Sequence, residues 1–346
     1  MALDDNMTND IDGTTNWTER VHPELQPILQ TIAPNMTFDS WWKAGLCSAL
    51  MHIPGRVPPG VKVMKVRGIG DYYYPTNDEN NEGCKKSSSA VMWIHGGGRI
   101  MGSASGAGES AVCSRIVKLL GVPVLSAHHR LAPRHPFPAA LDDILNAYHW
   151  LARHVESESA GMNSTEMKIA VAGESAGSGL AAELCQRLLD ESQEQNETAP
   201  SKLTVPLPVC QLLINPMLDD RTCVDDSLSK LPPHLVWNNK SNMYAWSSYL
   251  GPSHEPGDEN LPKYASASRR NDLSGLPPAY IEVGDLDLFR TECIEYARRL
   301  KDDGVETEFV ETKGAFHGFM SLGRDEQPIV ESWERFQTFG KKFLLD

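Results

Sequence analysis

Short apolar runs recur along the chain: AVMWI at 90–94, VPVL at 122–125, KIAVA at 168–172, CQLLI at 210–214, AYIEV at 279–283 and ETEFV at 306–310. The first five are mostly apolar and are bounded by Gly, Pro or Asn, the pattern of strands buried on both faces. Between them the apolar spacing lengthens to that of a helix. In 109–120, Val112, Ile116 and Leu119 form one stripe; in 139–154, Leu141, Ile144, Leu145, Tyr148 and Leu151 do the same. Further helical segments fall at 178–189, 292–300 and 329–345. Strands alternating with helices predict a mostly parallel sheet covered by helices on both faces, within one α/β domain.

Two regions interrupt the alternation. Residues 1–55 hold the helix-like pieces TNWTERVHPELQPILQ and TFDSWWKAGL, and residues 218–265 are rich in Pro, Asn, Ser and aromatics. We read 1–55 as an N-terminal cap segment and 56–346 as the main domain, with a cap insertion at about 218–265. Trp41, Trp42, Trp237, Tyr244 and Trp246 are then candidates to line a pocket beneath that cap. The polar stretches 75–88 and 190–203 read as exposed loops. No internal repeat is found.

Composition narrows the function class. Hydrophobic residues make up 40% and charged residues 23%, ordinary for a soluble protein with a large core. Lys and Arg total 32 against 46 Asp and Glu, a net charge of −14 that disfavours a nucleic-acid partner. The acidic start MALDDNMTNDIDG does not resemble a signal peptide, and no run of about 18 apolar residues predicts a membrane span. The 7 cysteines lack CxxC spacing and read as reduced thiols, giving the expectation of a soluble cytoplasmic protein. Asn-x-Ser/Thr triplets, as at Asn6, Asn16 and Asn35, are read as coincidental without a secretory route.

The chemistry concentrates in a few loops. Gly173-Glu-Ser-Ala-Gly177 lies between a predicted strand and a predicted helix, the setting of a nucleophile elbow with Ser175 at its tip. Glycines at both ends suit a tight turn with close backbone neighbours, and the helix N-terminus adds positive potential beneath the reacting oxygen. His95-Gly-Gly-Gly98 follows the first strand. It lacks the residues of a P-loop and the third glycine of a dinucleotide fingerprint, so an oxyanion hole is its better use. The serine needs a base. Of 11 histidines, His317 in Gly-Ala-Phe-His-Gly-Phe is the one placed after a late strand, as the chain order serine, acid, histidine requires. The acid belongs just beyond the strand at 279–283, where both Asp285 and Asp287 are eligible.

HGGG, then RLAPRHPFPAALDD at 130–143, GESAG, DLDLFR and GAFHGF together resemble the hormone-sensitive lipase family of α/β-hydrolases, in order from about residue 90 to 320. The resemblance implies the α/β-hydrolase fold, hydrolysis of small carboxylic esters of short to medium acyl chain, and no metal or organic cofactor. It implies Ser175 as nucleophile, His317 as base, and the backbone N–H groups of Gly97, Gly98 and Ala176 as oxyanion donors. The family's Asp-x-x-Arg-Asp/Thr-Glu pattern, laid on Asp287, Arg290 and Glu292, places the acid at Asp287. The chain departs from the family at His129, Arg134 and Glu174, where Tyr, Glu and Asp are usual, which bears on pocket polarity and pH response. The same residues also suit a lactone, amide or carbamate hydrolase or a lyase, and related folds serve as receptors once the histidine is lost.

Overall fold

The computed structural model describes residues 17–31, 37–53, 55–76, 87–160, 167–198, 205–225, 236–322 and 325–345. The apolar runs become a sheet of 8 strands in the order β1-β2-β4-β3-β5-β6-β7-β8. Strands β3 (Ser89–Ile94), β4 (Val124–Ala127), β5 (Lys168–Glu174), β6 (Cys210–Ile214), β7 (Ala279–Gly284) and β8 (Thr307–Thr312) pair in parallel. Two strands have no counterpart in the sequence reading. These are β1 (Val61–Val66) and β2 (Gly70–Pro75), which add antiparallel at the β4 edge.

Alternate residues of each buried strand enter opposite helical layers, as the two-residue period demands. Ala90, Met92 and Ile94 of β3 pack with helices α5 (Ala139–Ser159), α6 (Ala176–Thr198) and α8 (Arg290–Asp302). Val91 and Trp93 pack on the other face with α4 (Ala107–Leu120) and α10 (Gln327–Leu344). The expected loop at 190–203 is corrected in part, because α6 continues to Thr198. The start of that stretch is helical because its side chains stay engaged: Asp190 accepts from Arg270, and Glu191 accepts from Arg187 one turn earlier. Residues 77–86 of the other expected loop lie outside the described residues, as do Asn6, Asn16, Asn35 and Cys84.

Before the sheet come short helices α1 (Trp17–Arg20) and α2 (Gln26–Thr31) and the longer α3 (Trp41–Met51). Within 218–265 lies α7 (Asn239–Leu250), capped by the Asn238 side chain accepting from Ser241 N. These two regions meet. Phe38 N donates to Ser241 Oγ at 2.9 Å, Asn238 Nδ2 donates to Thr37 Oγ1 at 3.1 Å, and Phe38 stacks on Trp237. The remaining helix, α9 (Phe319–Leu322), follows the loop after β8. No described helix is long and apolar enough to cross a membrane.

Candidate active site

The chemistry-bearing loops all leave the C-terminal edge of the parallel strands, where open α/β sheets gather their ligand sites. At the end of β5 the chain turns sharply, and Ser175 adopts the left-handed conformation with φ 56°. Such backbone costs a non-glycine residue about 1–3 kcal/mol and persists only where its surroundings over-determine it. Here they do. Ser175 N donates to Ile214 O of β6 at 2.8 Å, and the Ser178 hydroxyl donates to Gly173 O at 2.6 Å while accepting from Ile214 N at 2.9 Å. A Cβ on Gly177 would stand 2.1 Å from Ile94 O, so glycine lets α6 start flush against β3.

The turn brings together the serine, the histidine and one aspartate. His317 Nε2 lies 2.9 Å from Ser175 Oγ, and His317 Nδ1 lies 2.8 Å from Asp287 Oδ2. All three side chains are buried. Phe289 N donates to Asp287 Oδ1 at 2.9 Å, and the Phe289 ring stands edge-on to His317. Asp285 is turned elsewhere. Its Oδ1 accepts from Gly314 N at 2.7 Å, and its own N–H donates to Thr312 O, so it ties the end of β7 to the loop that carries His317.

Burial works against a charged His317, but the Asp287 carboxylate and, more distantly, Glu174 outweigh it and raise its pKa above the ordinary histidine value. Glu174 is itself pushed up by burial; one oxygen accepts from Ser321 Oγ at 2.7 Å, and the other is buried without a hydrogen-bond partner.

The HGGG loop lies against this turn. A Cβ on Gly96 would stand 3.3 Å from Ser175 Cβ. Gly97 and Gly98 take φ 106° and 61°, and among the described residues neither N–H donates to a protein acceptor. The Ala176 N–H heads α6, where no preceding helical turn exists to receive it. Behind the loop His95 stacks on His129 with centroids 4.3 Å apart, and burial pushes both imidazoles down, His129 to about 4. Arg134 is exposed, and Arg130 forms a fork with Asp143 at 2.8 and 2.9 Å, so the RLAP segment is fastened from outside the site.

The aromatic candidates separate. The Trp237 ring covers Gly98 so closely that a Cβ there would meet it at 2.5 Å, and its centroid is 6.3 Å from that of His317. Trp246 is enclosed against Arg99, and Tyr244 is half-buried beside the core. Trp41 and Trp42 are 72% and 55% exposed. A polar cavity of about 810 Å³, lined by Gln186, Arg221, Glu292 and Arg299 among others, includes none of Ser175, Asp287 and His317. Among the described residues no group of three or more His, Cys, Asp or Glu is arranged to hold a metal ion.

Residues 91–321 match the sequence pattern of the alpha/beta hydrolase fold family. Esterase LipI of Mycobacterium tuberculosis is 28% identical over 339 residues, covering 94% of this chain and 96% of that protein. The chain is an α/β-hydrolase of the hormone-sensitive lipase family. Another member, Lipase 2 of a Moraxella species, is 30% identical over 264 residues, which span 72% of this chain but only 58% of that lipase. Among solved structures, a bacterial heroin esterase superposes on this α/β-hydrolase with a TM-score of 0.78 at 28% identity, covering 95% of this chain and 99% of its own.

Sequence reasoning missed the role of Asp285, the Trp237–Gly98 contact, and the Ser321 partner of Glu174. Each joins residues far apart in the chain, and no local spacing signals them.

Proposed function

We propose that the protein hydrolyses small carboxylic esters of short to medium acyl chain, with Ser175 as nucleophile, His317 as general base and Asp287 as the acid that orients it. The observation that carries this reading is the unbroken hydrogen-bond chain from Asp287 through both ring nitrogens of His317 to Ser175, at 2.8 and 2.9 Å. The esterases and lipase among its relatives support it.

Asp287 accepts the Nδ1–H of His317, which leaves the Nε2 lone pair facing the serine hydroxyl. As Ser175 Oγ bonds to the ester carbonyl carbon, its proton passes to Nε2 and the carbonyl electron pair moves onto oxygen. The N–H groups of Gly97, Gly98 and Ala176 are the proposed donors to that oxyanion. Collapse breaks the bond to the alkoxy oxygen, which takes the proton from Nε2 and leaves as alcohol. Water then enters by the same route and releases the acid. The raised pKa of His317 favours its holding a proton during each addition.

The regions 1–55 and 218–265 are the proposed cap, and their contact through Phe38 and Trp237 supports that division. Trp237 is the pocket residue best supported, because it stands over Gly98 beside His317. The cytoplasm is the proposed location, a reducing compartment suited to the free thiols of Cys47, Cys113, Cys185, Cys210, Cys223 and Cys293.

Hydrolysis of p-nitrophenyl butyrate tests the proposal. Ser175→Ala is expected to lower kcat by about 10⁴-fold or more; full activity in that variant contradicts it. Turnover of a lactone or anilide but of no ester would transfer the site to a different acyl substrate.

A further inference from the structure

We propose that Arg99 is a positioning residue for the oxyanion-binding loop, holding Gly97 and Gly98 in register with Ser175 by clamping them to helices α6 and α7. This rests on the esterase reading above. Arg99 directly follows Gly98 and takes φ 64°, a left-handed conformation uncommon for arginine. Its side chain is fully enclosed. The guanidinium donates to Glu183 Oε1 on α6 at 2.7 Å, in an ion pair with 0% exposure on both sides. It also lies over two rings of α7, 4.0 Å from the Tyr249 centroid and 4.5 Å from that of Trp246. Tyr249 Oη donates to Glu183 Oε2 at 3.3 Å, so ring, guanidinium and carboxylate form one closed set. The space is made by Gly179, where a Cβ would stand 2.8 Å from the guanidinium, and Gly179 N donates to Ser175 O. The Arg99 carbonyl accepts from Ala132 N at 2.9 Å, which fixes the backbone on its other side.

A buried ion pair is weak evidence for stability, because desolvation offsets most of its attraction. Its value here is geometric. The planar guanidinium stacks and forks in ways an ammonium does not, and it joins three elements that border the site. These are the glycine loop, the helix that begins at the nucleophile, and the helix following Trp237. A loop displaced by about 1 Å costs on the order of 10²-fold in rate when it carries transition-state contacts.

The test compares wild type, Arg99→Lys and Glu183→Gln in p-nitrophenyl butyrate hydrolysis and in inhibition by an alkyl trifluoromethyl ketone. That ketone adds to Ser175 Oγ, passes the serine proton to His317 and leaves an oxyanion in the loop. The matching alkyl alcohol, which forms no oxyanion, serves as a ground-state ligand. We expect kcat to fall by about tenfold to a hundredfold and the ketone Ki to rise by a similar factor. KM and the alcohol Ki stay within about twofold, since ground-state binding does not use the loop. Wild-type kcat in either folded variant overturns the inference, as does a loss falling equally on ketone and alcohol. Tyr249→Phe, which removes one hydroxyl from the set, takes their place where they do not fold, with an expected loss of about threefold and the same two failing outcomes. Absence of ester turnover in the wild type would instead be failure of the esterase reading itself.

Discussion

Two aspartates, two residues apart just beyond β7, take different hydrogen-bond partners. Asp285 spends its carboxylate on Gly314 N, while Asp287 is held by Phe289 N and faces His317. From the strand alone either was eligible, and the family register favoured Asp287. The decision depends on which loop crosses the strand end, something no local pattern encodes. We expect Asp287→Asn to lower kcat by about 10³–10⁴, because the amide no longer selects the productive imidazole tautomer. Asp285→Asn should cost less than about tenfold in kcat, chiefly by loosening the loop that carries His317. Steady-state kinetics of the two variants check this, and the reverse order refutes the assignment.

At the scale of elements, strands β3 to β7 could be read from the sequence because both-face burial makes them apolar runs, the partly buried β8 was a weaker run, and the helices packed on the sheet showed as apolar stripes. The antiparallel pair could not. In β1 the residues Val63 and Met64 are both partly exposed, so no clean alternation survives, and β2 opens with Gly70 and Asp71, residues that read as a turn. Helix α7 was hidden because its buried face is built from Ser241, Asn242, Trp246, Ser248 and Tyr249 more than from the aliphatic Ala245 and Leu250. The elbow, by contrast, was legible through its glycines, since close contact between α6 and β3 leaves them no substitute. Gly177→Ala puts a methyl group 2.1 Å from Ile94 O and 2.5 Å from His95 O, both backbone atoms. We expect this variant to lose about 3 kcal/mol or more of stability in urea unfolding. An unchanged midpoint would mean that α6 does not start where the structure has it.

Across the whole molecule, acid stability should bear the mark of the stacked histidines behind the glycine loop. His129 is held down to about 4, first by burial and also by the nearby Arg99 charge, and burial holds His95 down as well. An unfolded histidine titrates near 6.5. As pH falls from there, the unfolded chain takes up protons that the folded protein refuses, so stability is lost between about pH 6.5 and 4. His129 accounts for roughly 2–3 kcal/mol of that loss. Urea unfolding at pH 7 and pH 4.5 should therefore differ less in His129→Asn than in the wild type; an equal difference contradicts the account. The stack, like the Arg99 clamp and the Trp237 cover, joins residues 30 or more positions apart and belongs to the packed molecule rather than to any motif.

We propose that Ser175 is the nucleophile this arrangement activates. Fluorophosphonate labelling followed by peptide mass spectrometry tests it most directly. The account predicts about one equivalent of label on Ser175 in the wild type, and loss of that label in Ser175→Ala and His317→Gln. Label on another residue, or none on Ser175 in a protein that turns over esters, would contradict it.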